Sequence, residues 1–189
     1  MATSKNPTEQ RNLVTFRLDR QICALPIEPI VQIIEMVSIT PIPQASKVLE
    51  GVINVRGISV PVINLRRYLG LPEAALQLHT PIILTHVGET VVGLIVDEVM
   101  DLLTLTNDQI IHLPDIMPGG WGEVPIWQGL VHTPDGIVLL FDPDHLFSAP
   151  SGVGLTQAVE TLAQAVGPAL SAEGEEAPQA KYPSAEVEA

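Results

Sequence analysis

Short runs of aliphatic and β-branched residues, broken every few positions by proline, glycine or a charged pair, make up most of the chain. Leu13 to Asp19 alternates with period two and predicts a half-buried strand. Asp19-Arg20 predicts a tight turn into a second strand over Ile22 to Leu25. Pro26 and Pro29 make the next stretch an irregular entry into a short strand that includes Ile30 to Ile34. Pro41-Ile42-Pro43 reads as an extended connector, because proline fixes its own φ and restricts its neighbour. Ala45 to Glu50 predicts one helical turn ended by Gly51.

Hairpins come next. Gly51 to Gly57 and Ile58 to Ile63 read as paired strands joined near Arg56-Gly57, and Leu65 to Leu69 as a short helix stopped by Gly70 and Pro72. Pro81 to Val87 and Thr90 to Val96 flank the turn Gly88-Glu89. Gln128 to His132 and Ile137 to Phe141 flank Thr133-Pro134-Asp135-Gly136, a stronger turn signal in which Gly136 supports the chain reversal. Asp142 caps a short helix with Pro143 at its first position. Nine or ten short strands with stubby helices predict a mostly β fold, and the length suits two small packed barrels.

Composition sharpens this reading at the ends. Residues 1–11 are polar and read as a flexible leader without the apolar core of a signal peptide. No apolar run reaches the roughly 18–20 residues that cross a bilayer, and the lone Cys23 forms no intramolecular disulfide, so the expectation is a cytoplasmic protein. Residues 149–189 shift to Ala, Glu, Gly, Ser and Pro. Within that acidic tail Leu155, Val159, Leu162 and Val166 recur at helical spacing, predicting a short amphipathic helix over 155–166 and disorder beyond it.

Charge narrows the partners. Residues 1–67 sum to +3, residues 68–148 carry no Lys or Arg and sum to −11, and residues 149–189 sum to −5, giving −13 in all. Most of the chain would repel nucleic acid. A bipolar molecule can steer complementary proteins, although an acidic surface also simply aids solubility.

Chemical motifs are sparse. His79, His86, His112, His132 and His145 fall in no metal-binding spacing, and Cys23 sits in an apolar strand as a small hydrophobe. There is no nucleophile elbow and no Walker motif. Trp121, in the loop Pro118 to Gly122, and Trp127 are candidate partner anchors or core residues. Arg56, beside the Gly57 turn, suggests a guanidinium displayed for a bidentate contact, with a structural role satisfying loop carbonyls as the alternative. Asp97 closes a buried-looking strand, where it would hold Arg56 or a backbone turn. No catalytic residue, cofactor or metal is expected.

The segment Gly51 to Leu65, GVINVRGISVPVINL, resembles the central signature of CheW-type chemotaxis coupling proteins. Val91 to Val99, continuing through Leu103 to Ile110, resembles a second signature, and the closing hairpin and the Asp142 to Leu146 helix are similar too. The resemblance covers roughly residues 12–148. It implies a pair of five-stranded, SH3-like barrels sharing an apolar seam, without catalytic activity. It further implies an adaptor linking the cytoplasmic tips of chemoreceptors to the regulatory domain of a CheA-type histidine kinase. The protein would then be recruited to membrane-associated receptor arrays without inserting into the membrane. The receptor tip, a helical hairpin, would lie in the groove between the barrels.

By the same resemblance Arg56 matches the signature arginine of the receptor–kinase assembly, and Ile30 and Gln32 match positions on the strand facing the receptor. Gln32 stands where Glu is common and Asn64 where Asp is common, so borrowed receptor-pairing rules are in question. A scaffold for a surface-motility or gene-regulatory chemosensory system is a close variant. An enzyme or small-ligand binder on a β-barrel is the rival class, and a deep pocket of convergent polar groups would favour it. A fragment of a larger kinase or response regulator is disfavoured, because the chain has no receiver pattern and no ATP-binding glycine motif.

Overall fold

The computed structural model describes residues 8–112 and 126–146. Trp121 and its loop, most of the leader, and the 149–189 tail with its 155–166 stretch lie outside the described residues.

The strands are β1 (Gln10–Leu18), β2 (Gln21–Pro26), β3 (Ile30–Glu35), β4 (Leu49–Val55), β5 (Ile58–Asn64), β6 (Pro81–Val87), β7 (Thr90–Ile95), β8 (Glu98–Thr106), β9 (Ile111–His112), β10 (Trp127–Thr133) and β11 (Gly136–Phe141). One short helix, α1 (Leu65–Tyr68), follows β5, and two 3-10 turns cover Asn107–Gln109 and Pro143–His145. The fold is mostly β, as the punctuated pattern predicts. The strands form two sheets, ordered β8-β1-β2-β11-β10-β9 and β3-β6-β7-β5-β4. The first has six strands rather than five, because β9 adds a two-residue pairing to β10. The first and last parts of the chain thus build one subdomain, and the middle builds the other.

Each sheet wraps a small core of its own. Leu13, Ala24, Leu105, Val131, Val138 and Leu140 fill the first, and Ile53, Val60, Val62, Ile82, Leu84 and Ile95 the second. A larger cluster lies between them and draws on both, including Phe16, Cys23, Leu25, Ile63, Ile83, Leu94 and Phe141. This shared seam explains why β1 departs from simple alternation. Val14, Thr15 and Phe16 are all buried, since Leu13 serves the first core while Phe16 and Leu18 serve the seam. The register of β1 with β8 slips between Val14 and Phe16. There the Thr15 hydroxyl accepts from the Asp101 N–H (3.0 Å) and donates to the Asp101 carbonyl (2.7 Å), satisfying the backbone groups at the irregularity.

Two local expectations need correction. Ala45 to Glu50 is not a helical turn: residues 43–48 form turns and β4 begins at Leu49. Gly51 is therefore no helix stop but a strand position with φ +152, crossed by the connector from β3, where Thr40 bridges Val52. A Cβ on Gly51 would stand 2.3 Å from the Thr40 carbonyl oxygen, so only glycine lets the connector close against β4. Strand β8 was legible only as part of a resemblance. Its exposed Glu98, Met100, Asp101 and Leu102 carry no clean alternation.

The closing hairpin pairs Thr133 with Gly136 as expected, and Gly136 has φ +129 with open space around it. A side chain there meets backbone strain rather than a clash. Gly136→Val should lower stability by about 1–2 kcal/mol, read as a fall in thermal midpoint. An unchanged midpoint would refute a strained turn.

Candidate partner-binding surfaces

The β4–β5 hairpin presents Arg56. Both residues of its two-residue turn have positive φ, +53 at Arg56 and +88 at Gly57, and the Asn54 side chain accepts from the Gly57 N–H (2.9 Å). Such a turn favours Asn or Gly at its first position. An arginine held left-handed costs about 1 kcal/mol. Its side chain is exposed and makes no hydrogen bond or ion pair with any described residue. The loop-carbonyl role considered for Arg56 is therefore not what the structure displays, and Asp97 is not its partner.

Asp97 pairs instead with Arg66 of α1. Arg66 Nε and Nη2 donate to the two carboxylate oxygens at 2.6 and 2.7 Å, and Nη1 donates to the Pro72 carbonyl. The same carboxylate accepts from the Asp19 N–H at 2.6 Å in the β1–β2 turn, while the Asp97 N–H donates to the Arg17 carbonyl. Asp19, at φ +56, also lies 3.6 Å from Arg66. One carboxylate thus fastens the first subdomain's turn to the second subdomain's helix. Burial alone would push the Asp97 carboxyl up; the Arg66 and Asp19 hydrogen bonds, with the charges of Arg66 and Arg17, outweigh it and hold it below the usual carboxylate value. Sequence could not pair these residues, because Arg66 and Arg67 both follow the β5 signature and only the folded helix decides which faces Asp97.

Arg67 points the other way, to Glu50 (2.9 Å) and Glu73 (3.0 Å). Glu50 also accepts from the Asn64 amide (3.1 Å), and Asn64 Oδ1 caps α1 by accepting from the Arg67 N–H (3.3 Å). Asn64 is buried. An Asp there would set a second carboxylate against Glu50.

On the opposite edge of the second sheet lies β3. Ile30 is half buried and packs on the seam, while Gln32 is exposed and pairs in register with Leu84 of β6, beyond a slip between the two positions. Val31 and Ile33 are also exposed, at 53% and 40%. Strand β8 borders the same seam from the first subdomain: Val99 packs on it, and Met100 and Leu102 stand 39% and 67% exposed. Ile27, just before β3, donates its N–H to the Asn12 carbonyl on β1, which pairs with Thr104 of β8. These exposed apolar residues alternate with the exposed carboxylates Glu35 of β3 and Glu98 and Asp101 of β8. Arg56 is not among them. It sits at the tip of the β4–β5 hairpin, whose strand β4 is met by the continuation of β3 at the Thr40–Val52 bridge.

A cavity of about 320 Å³ lies beside the Arg66–Asp97 pair, lined also by Arg17, Asp19, Asn64 and Thr80. Its cations are matched, Arg17 with Glu98 and Arg66 with Asp97. Trp127 packs edge-on against Phe141 (5.8 Å), which itself packs edge-on against Phe16, so it serves the seam. Cys23 is buried and burial pushes its thiol up to about 12. No described helix is long and apolar enough to cross a membrane.

Two β-barrel-like subdomains sharing an apolar seam, with a cationic hairpin tip and exposed apolar side chains on β3 and β8, define an SH3-like double-barrel scaffold. The chain belongs to the CheW family of chemotaxis coupling proteins: the CheW-like domain model matches residues 12–151. It is 30% identical over 146 residues to a chemotaxis protein CheW of Thermotoga maritima, covering 77% of this chain and 93% of that one. A CheW of Rhizobium meliloti is 36% identical over 106 residues, covering 56% of this chain and 68% of the relative. The crystal structure of the scaffolding protein TtCheW from Thermoanaerobacter tengcongensis superposes with a TM-score of 0.68 at 26% identity, covering 76% of this chain and 96% of that one.

Asp97→Asn should lower stability by about 1–3 kcal/mol at neutral pH by breaking the charged hydrogen bonds to Arg66. Because the native carboxyl titrates below its unfolded value, the wild-type advantage is full above about pH 4 and fades as pH falls through the native value. Chemical denaturation at pH 7 and pH 3 checks this: equal gaps at both would contradict it. Asn64→Asp should cost about 1–2 kcal/mol at pH 7, relieved by adding Glu50→Gln, in a double-mutant cycle.

Proposed function

We propose that this protein is a non-catalytic adaptor that couples chemoreceptor tips to the regulatory domain of a CheA-type histidine kinase. The observation that carries the reading is Arg56: a cation kept in a left-handed turn position where it has no described partner of its own. A side chain that costs the fold energy and returns no internal contact is best explained by a contact outside it. Its planar guanidinium suits a bidentate carboxylate contact on the kinase domain. The exposed apolar side chains of Val31, Ile33, Met100 and Leu102 suit the apolar face of a helical hairpin, such as a receptor tip, with Gln32 as a polar neighbour that sets register. With the kinase held at the Arg56 tip and the receptor at β3 and β8, both partners would bind at once, so that receptor conformation biases the kinase through the adaptor. The matched charges around the cavity weigh against the ligand-binding and enzymatic alternatives.

Calorimetric titration with the regulatory domain of the kinase tests the reading. Arg56→Gly should leave stability unchanged or raise it by about 0.5–1 kcal/mol. It should also weaken binding by about tenfold or more, through loss of a charged hydrogen-bonding pair. Arg56→Glu should weaken it further with an intact fold. If Arg56→Gly destabilises the protein and spares binding, Arg56 is structural and the proposal fails.

A further inference from the structure

The β4–β5 hairpin departs from local preference at two nearby positions. Asn54 is an exposed residue within β4, although asparagine is among the residues depleted in strands. Arg56, two residues on, holds φ +53, a conformation that asparagine adopts more readily than arginine. Exchanging the two would answer both preferences, since Asn-Gly is the favoured pair for a two-residue hairpin turn with positive φ. The chain has the opposite arrangement. Local departures of this kind are found where function requires them.

A single hydrogen bond links the two positions. Val55 pairs with Ile58, so Arg56 and Gly57 lie outside the ladder and no strand pairing serves the Gly57 N–H. That N–H donates to Asn54 Oδ1 at 2.9 Å, a side-chain closure that the tight reversal brings within reach. The flanking Ile53 is buried and Val55 packs on the second core, while Asn54 stands on the opposite, exposed face of the strand. Asn54 therefore adds nothing to the apolar core. A wider reversal would break its bond and release Arg56 to the negative φ that its side chain prefers.

We propose that Asn54 is the positioning residue of the Arg56 contact: its side chain keeps the turn left-handed and so fixes where the guanidinium meets the kinase domain. The inference rests on the assignment of Arg56 to the kinase made above. A turn formed in advance removes the cost of ordering the loop on binding, and the gain appears as affinity without any contact between Asn54 and the kinase. An exposed neutral hydrogen bond biases such an equilibrium by about two- to tenfold.

The turn is tested first, without the kinase. In Asn54→Val, a substitution that suits the strand, the Gly57 amide should exchange with solvent about two- to tenfold faster, while the thermal midpoint stays at the wild-type value. The Arg56 backbone carbon shifts should move off their positive-φ values. Asn54→Asp keeps an acceptor oxygen and should retain the protection. Unchanged Gly57 exchange in Asn54→Val would overturn the proposal.

Calorimetric titration with the kinase regulatory domain then tests the contact. Asn54→Val should weaken binding about two- to tenfold in the wild-type background. In the Arg56→Gly background it should change nothing, because no side chain remains to be positioned. An equal loss in both backgrounds would overturn positioning in favour of a direct contact between Asn54 and the kinase. Faster exchange with undiminished affinity would overturn it as well. If Arg56→Gly alone binds as tightly as the wild type, the Arg56 assignment fails and takes this proposal with it, so the two failures are told apart.

Discussion

The apolar seam between the two sheets is the constraint on which the other features depend. Seventeen buried residues from both subdomains contribute to it, among them Phe16, Leu25, Ile63, Leu94 and Phe141. Full burial of one such aliphatic or aromatic side chain is worth about 1.5–3 kcal/mol. Two or three of them outweigh the whole Arg66–Asp97 fastening. The ion pair therefore does not hold the subdomains together so much as set their angle, joining the β1–β2 turn to α1 at a defined distance. Tyr68 adds to the same junction: burial pushes its hydroxyl up to about 12, and the neutral group anchors the Leu146 carbonyl.

A shared core of this kind has a geometric consequence. Two convex barrels that meet along a seam leave an uncovered border where their edges diverge, and here the border carries β3 and β8. Both are outermost strands of their sheets among the described residues. Among the described residues Val31, Ile33, Met100 and Leu102 are exposed there. An exposed apolar edge is an association hazard unless something occupies it. The Arg56 tip has a different origin. It depends only on the two-residue turn between β4 and β5 and projects from a rigid hairpin, so it can present a charge without disturbing the seam.

Much of this was legible in the sequence where the determinants are local. The Arg56-Gly57, Gly88-Glu89 and Pro134-Asp135 reversals and the Asn64-to-Gly70 helix each arise from a few adjacent residues, and the structure has them all. Long-range determinants were not legible. Ala45 to Glu50 has helical composition but is drawn into strand pairing with Ile63 and Val62, with Gly51 kept free for Thr40. β8 hides its strand character because apolar Met100 and Leu102 are exposed among Glu98, Asp101 and Thr104, which breaks the alternation that marks a strand. The partner of Asp97 depends on α1 turning Arg66 inward and Arg67 outward. Ile30, Gln32 and Arg56 are grouped by resemblance, and the structure puts Ile30 and Gln32 on β3 and Arg56 at the β4–β5 turn.

The central claim is the proposal that the Arg56 tip and the exposed apolar residues of β3 and β8 take different partners. Amide hydrogen exchange of the full chain, with the kinase regulatory domain, with a receptor-tip hairpin, and with both together, tests it most directly. The account predicts protection around Val55–Ile58 from the first and along β3 and β8 from the second. The two footprints should persist together in the ternary mixture. A common footprint, or loss of one when the other partner is added, would contradict it.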